Sequence, residues 1–277
     1  HTANFWAGCQ RVSPGCENCY AETRVTGRMK LPVWGPPATT ERHRFTAVWR
    51  DVPRWNAAAL RAGVRRQVFV SSLSDVFEDH PQVAPWRVEA LALLERCTSS
   101  DVQLLTKRPE NILAMVPPSW LTAWPDHIWV GTTVEDQRRA NERIPHLLAV
   151  PARVRFLSCE PLLEAVDLFR WPQPSTRTWG RDHAGRWGCS TCCNGDRCDD
   201  LSHHERRHCP ACRGSGVVPY DGISWVIVGG ESGPDARPFA LDWARSVVRQ
   251  CRAAGVSAFV KQLGDHPLIS CAELERY

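Results

Sequence analysis

Three cysteines stand within eleven residues near the start of the chain: Cys9, Cys16 and Cys19, in the stretch GCQRVSPGCENCYAE. A thiolate is a soft donor that favours transition metals. Three thiolates this close can share one polynuclear centre, yet they cannot fill the four corners of a cluster. A tetrahedral zinc site wants four ligands. No other Cys or His follows within about twenty residues, and His43 is only a distant fourth. A disulfide with one odd thiol is a further alternative. A four-iron cluster with one iron open to an outside chelator accounts best for the count of three.

A second group lies far along the chain. Cys189-x2-Cys192 and Cys209-x2-Cys212 are separated by sixteen residues, a spacing typical of zinc ribbons. Cys193, Cys198, His203 and His208 crowd the same stretch as alternate ligands, so the ligand set stays open. The expected metal is a structural Zn2+, with a second iron–sulfur cluster or reactive cysteines as the other readings. This segment, residues 172–222, is rich in Arg, Asp, His, Gly and Cys and poor in aliphatics. Without apolar side chains for a core, it needs a metal staple.

Thirteen cysteines in 277 residues need a compartment that keeps them reduced. No apolar run approaches the roughly 20 residues of a membrane span, and no signal peptide is visible. The expectation is a cytoplasmic protein with no membrane partner, its clustered cysteines being metal ligands. Cys97, Cys251 and Cys271 stand alone and read as ordinary thiols. A net charge of +4 permits a nucleic-acid partner without requiring one.

The elements that position these groups repeat. Candidate strands are Asn4–Ala7, Gln67–Ser71, Val102–Thr106, His127–Thr132, Val154–Ser158, Ser224–Val228 and Ala258–Lys261. Most do not alternate polar and apolar residues, the mark of strands buried on both faces of a parallel sheet. Helical spacing recurs at Pro85–Cys97, Val134–Leu148 and Leu241–Ala254, the last ending at Gly255 as a C-cap. The fold class predicted is α/β, a partial barrel of βα units with an inserted knuckle. Residues 1–171 and 223–277 would form the barrel.

Polar residues cluster at the strand ends: Asp75, Thr106-Lys107-Arg108, Thr132-Thr133, Glu160, Gly229-Gly230-Glu231 and Lys261-Gln262. Active sites of parallel α/β folds lie at this carboxyl rim. The motifs VSSLSDVF, LLTKRPE, VGTTVED, FLSCEPLL and WVIVGGESG, with the cysteine triad and Tyr20 behind it, resemble the radical S-adenosylmethionine (SAM) superfamily. The match is closest to a phage-associated three-Cys-motif family, and looser to spore photoproduct lyase. The triad departs from the superfamily's commonest Cys-x3-Cys-x2-Cys by three extra residues in its first gap.

The resemblance implies a [4Fe–4S] cluster on Cys9, Cys16 and Cys19, with SAM chelating the open iron. It implies a (β/α)6-type barrel and the reductive cleavage of SAM to a 5′-deoxyadenosyl radical. By the same resemblance Lys107 pairs with the SAM carboxylate and Thr132 or Thr133 assists. Tyr20, Asp75 and Glu160 become cofactor-binding candidates. The superfamily's GGE-like motif follows its second strand and Gly229–Glu231 follows the sixth, so that role is not carried over; Glu231, facing SAM or substrate, and Lys261, on the substrate side, are the catalytic candidates. A one-electron reductant such as flavodoxin or ferredoxin is the implied partner. The expected substrate is a nucleic acid, for modification or repair. Arg42, Arg44, Arg50, Arg54, Arg61, Arg65 and Arg66 interleave with Trp34, Trp49 and Trp55, which suits a single strand or flipped base and equally a solvated helix face with core tryptophans. A small metabolite or peptide substrate, or a non-catalytic metal-stapled nucleic-acid-binding protein, are the alternatives.

Overall fold

The structure is a computed structural model describing residues 1–168, 179–181, 187–189 and 222–268. The chain divides into two compact units, His1–Trp171 with Ile223–Tyr277, and Pro172–Gly222. In chain order the strands are β1 (Trp6–Ala7), β2 (His43–Arg44), β3 (Arg66–Val70), β4 (Ser100–Thr106), β5 (Ile128–Thr133), β6 (Arg155–Cys159), β7 (Trp179–Arg181), β8 (Trp187–Cys189), β9 (Trp225–Gly229), β10 (Phe239–Ala240), β11 (Ser257–Gln262) and β12 (Pro267–Leu268). The helices are α1 (Tyr20–Glu22), α2 (Val48–Arg61), α3 (Val83–Glu95), α4 (Ile112–Met115), α5 (Pro118–Thr122), α6 (Gln137–Leu148) and α7 (Leu241–Ala253).

The first unit is built on one six-stranded sheet in the order β11-β9-β6-β5-β4-β3, every pairing parallel. It curls as a half-barrel. Val102, Leu104, Ile128, Val130, Phe156, Val226 and Val228 are buried, which is why these strands read as continuous apolar runs. Helices return the chain between them and bury one stripe each. On α6 that stripe is Ala140, Ile144 and Leu147, and on α7 it is Ala244, Val247 and Cys251. Each Val, Leu or Ile fully removed from water contributes about 1.5–3 kcal/mol before the entropy of ordering is charged against it. The Asp136 carboxylate caps α6 by accepting from Arg139 N at 2.6 Å. Gly255, at φ +68°, terminates α7 in the left-handed conformation expected of a C′ glycine.

The N-terminal strand differs from expectation. Only Trp6 and Ala7 form a strand, and they pair antiparallel with β2. The rest of the segment runs beside β3 through isolated parallel bridges, Thr2 to Phe69 and Gly8 to Ser74. Asn4 explains the interruption. Its side-chain Oδ1 accepts from Ser72 N at 2.8 Å and Leu73 N at 2.9 Å, taking donors that a backbone ladder would have used. The segment is therefore stitched to the end of β3 by a side chain, and it leads directly into Cys9.

In the second unit, β7 and β8 pair antiparallel, with Trp179 opposite Cys189. The expected zinc ligands Cys192, Cys193, Cys198, His203, His208, Cys209 and Cys212, and the side chain of Cys189, lie outside the described residues.

Candidate active site

The triad loop leaves β1 and crosses the carboxyl end of the sheet. Pro14–Cys16 forms a 3-10 turn with Pro14 at its start, where a missing N–H costs nothing. Cys19 is the N-cap of α1, which continues as a π-helical turn, Thr23–Arg28. Such turns are rare and favour functional sites. All three thiols are free. They line one cavity of about 480 Å³. No group of three or more His, Cys, Asp or Glu side chains among the described residues is gathered tightly enough to hold a metal ion as it stands.

All six sheet strands reach this cavity, through Ser72 and Ser74 after β3, Thr106, Lys107 and Arg108 after β4, Thr133, Glu160, Glu231, and Lys261 with Gln262. Tyr20 joins them, donating from its hydroxyl to Ser72 O at 3.1 Å. Lys107 is half-buried, and its Nζ donates to Thr133 Oγ1 at 3.4 Å. It forms no ion pair with a carboxylate among the described residues. Thr132 is excluded from the cavity: it is fully buried and its hydroxyl donates to Thr106 O at 2.9 Å. Of the two threonines, only Thr133 faces the site.

Asp75 borders the cavity but has no free acceptor directed into it. Its carboxylate accepts from Thr106 Oγ1 at 2.6 Å and from Phe77 N, Lys107 N and Arg108 Nη1, each at 3.0 Å. Burial alone would raise its pKa, but Arg108 and these donors outweigh it and hold the carboxyl below its ordinary value. Asp75, expected as a cofactor-binding residue, thus lines the cavity with its carboxylate already engaged by the protein.

Glu231 also lines the cavity and is held by the protein in the same way. Its oxygens accept from Asn18 Nδ2 at 3.0 Å and from Arg237 N, Nε and Nη2. Arg237 also donates to Pro14 O at 2.8 Å and Glu17 at 2.9 Å. The expected catalytic carboxylate is thus one half of a clamp that ties the triad loop to the end of β9. Glu160 and Lys261, assigned separate roles from sequence, bond each other at 3.0 Å, and Gln262 Nε2 adds a bond to Glu160 at 2.8 Å. Lys261 is half exposed. There an ion pair is worth about 0–1 kcal/mol, so a modest gain elsewhere releases either member.

Beneath Cys9 lies a group that the motifs did not announce. Arg42 and Glu78 pair at 2.9 Å with side chains 0% and 1% exposed. Glu78 also accepts from Gln10 N at 2.9 Å. Arg108 donates to Cys9 Sγ at 3.6 Å, to Gln10 O at 2.8 Å and to Asp75, with Glu78 at 3.7 Å. Burial pushes the Cys9 thiol up to about 12, with Arg108 opposing and Asp75 and Glu78 adding to the rise. Arg108 sat beside Lys107 in the strand-end motif, so its position was visible and its role was not. Arg42 and Glu78 carried no signal beyond their charge.

The basic–aromatic stretch also has a local explanation. Trp49 packs edge-on against Phe5, Trp55 stacks on His1, and the Arg44 guanidinium lies 4.4 Å over the Trp49 ring. Trp49, Arg50, Arg54, Trp55 and Arg61 of this stretch lie on α2, a helix with Pro53 inside it, which agrees with the helix-face reading.

The sequence model of a family described as "Protein of unknown function (DUF5131)" matches residues 1–275. The chain belongs to this family. No curated protein and no solved structure matches it. The match spans the triad loop and all six sheet strands together. No described helix is long and apolar enough to cross a membrane.

Proposed function

We propose that this protein is a radical SAM enzyme, with a [4Fe–4S] cluster on Cys9, Cys16 and Cys19 and SAM bound beside it. One observation carries the reading: three free thiols and the carboxyl ends of six parallel strands wall the same cavity. The donor set fits, since three soft ligands suit iron–sulfur chemistry and leave a position for a chelator. When bound, the cluster and SAM supply one-electron cleavage of a sulfonium C–S bond, ending in hydrogen abstraction from a substrate.

The remaining tasks fall to the chain's own residues. Lys107, a half-buried cation without a carboxylate partner among the described residues, is suited to pair with the carboxylate of the methionyl group. Thr133 steadies its ammonium group. Glu160, Lys261 and Gln262 also line the cavity, where a substrate would meet a carboxylate, an ammonium group and an amide. The apolar strands beneath exclude water. A one-electron carrier protein is the implied donor.

Anaerobic reconstitution with iron and sulfide should give about four irons per chain with broad visible absorption. Dithionite with SAM should then yield 5′-deoxyadenosine. Zinc alone at the triad, with no SAM cleavage, overturns the reading. For the segment 172–222 the matching proposal is a structural Zn2+ on Cys189, Cys192, Cys209 and Cys212. Cys189→Ser or Cys212→Ser should release it, and unchanged zinc content would refute that assignment.

A further inference from the structure

We propose that Arg108 is a positioning residue that sets the reduction potential of the metal centre through Cys9. The inference rests on the reading of the triad given above. A hydrogen bond or positive charge at a ligand sulfur favours the form of a cluster that carries the extra electron. Arg108 supplies both from one guanidinium. Nη1 is divided between Cys9 Sγ at 3.6 Å and Asp75 Oδ2 at 3.0 Å, and Nη2 fixes the next carbonyl, Gln10 O, at 2.8 Å. The planar fork makes this division possible, because a lysine ammonium cannot hold three partners in those fixed directions.

The surroundings add to the effect. Arg108 is 7% exposed and Asp75 6%, so water screens little of the charge at the sulfur. Arg42 and Arg108 face Asp75 and Glu78, two cations against two carboxylates. Loss of Arg108 alone would therefore remove a donor from Cys9 and leave a net negative group beneath it. Both changes make adding an electron harder. An ion pair serving only the fold would need Asp75 and not the contact to Cys9.

The test compares the full chain with Arg108→Lys and with the pair Arg108→Gln, Asp75→Asn, which removes one charge of each sign. Each is reconstituted anaerobically with iron and sulfide, its iron counted, and its potential measured by redox titration followed by electron paramagnetic resonance. Expected is iron content at or somewhat below the wild-type value and, in the cluster that forms, at least about tenfold less reduced form at a fixed ambient potential, a downward shift of roughly 59 mV for one electron. An unchanged potential in both variants overturns the inference and leaves the cluster reading intact. Variants that fold but hold no iron, or that both fail to fold, also overturn it, because Arg108 would then build the site and not tune it. A wild-type chain that assembles no iron–sulfur cluster removes the reading and the inference together.

Discussion

Glu78→Gln tests the group beneath the triad without touching a cysteine. The side chain keeps its shape and loses its charge. In the native chain the carboxylate accepts from Arg42 Nε and Nη2 and from Gln10 N, all at 2.9 Å. The glutamine leaves two buried guanidiniums, Arg42 and Arg108, facing the single carboxylate of Asp75. It also turns an N–H donor toward donors that had an acceptor. Breaking a buried pair by removing one partner costs about 3–5 kcal/mol. Against an overall stability of about 5–15 kcal/mol the variant should still fold, weakened. At roughly 2–4 °C per kcal/mol for chains near this size, its Tm should fall by about 6–20 °C. The assay is thermal unfolding of the metal-free chain by circular dichroism. A second readout is the rate at which Cys9 reacts with a thiol reagent, which should rise because Gln10 loses its anchor. A fall below about 3 °C with unchanged thiol reactivity would show that the pair is solvated and that Glu78 does not hold the loop.

Lys107→Ala should weaken SAM binding measured by calorimetry while leaving iron content at the wild-type level, and unaltered SAM affinity would remove Lys107 from the site. Gly131→Ala should destabilise the sheet by about 1–3 kcal/mol, since the new Cβ would come within 2.5 Å of the buried Phe156 ring, which lies against Trp225; an unchanged Tm would mean that the ring moves freely. The Asp75 carboxyl is held below its ordinary value, so its contribution is complete above the unfolded value, about 3.9, and is lost as pH falls through the folded one. Asp75→Asn should therefore lower stability at neutral pH and flatten its decline below about pH 4, and a parallel decline in denaturant titrations of both proteins would refute that role.

The sheet was legible because burial on both faces leaves a compositional trace: VFV, VQLL, IWVG, VRFL and WVIV lie in its strands with little shift in bounds. The first strand was not, because Asn4 competes with the backbone ladder and sequence does not say which donor a side chain will find. Helix α2 was legible only as one of two readings of its arginines and tryptophans, and Pro53 inside it hid its bounds. The rim was legible as a set of positions. The bonds that Asp75, Glu231 and Thr132 make to the protein itself were not legible. Nothing in a sequence distinguishes a carboxylate aimed at a cofactor from one aimed at a neighbouring arginine.

The six residues between Cys9 and Cys16 bear most directly on the triad. A longer gap suggests a slack loop, and a slack loop would hold a cluster poorly. The structure gives the opposite arrangement. At one end Glu78 and Arg108 grip the N–H and the carbonyl of Gln10. At the other, Arg237 grips Pro14 O, and Asn18 is tied to Glu231 and to Asp235 O. Gly15 sits between: a Cβ there would come within 3.1 Å of the buried Glu135 carboxyl, so the glycine lets the turn settle close against that side chain. Between these anchors Arg11 pairs with Glu22 at 2.9 Å and Ser13 O accepts from Cys16 N at 2.9 Å, while Val12 is exposed. Two arginines and two carboxylates convert a loose spacing into a fixed one. The length of the first gap is therefore taken up outside the thiols, and Cys9 and Cys16 meet the cavity from anchored backbone.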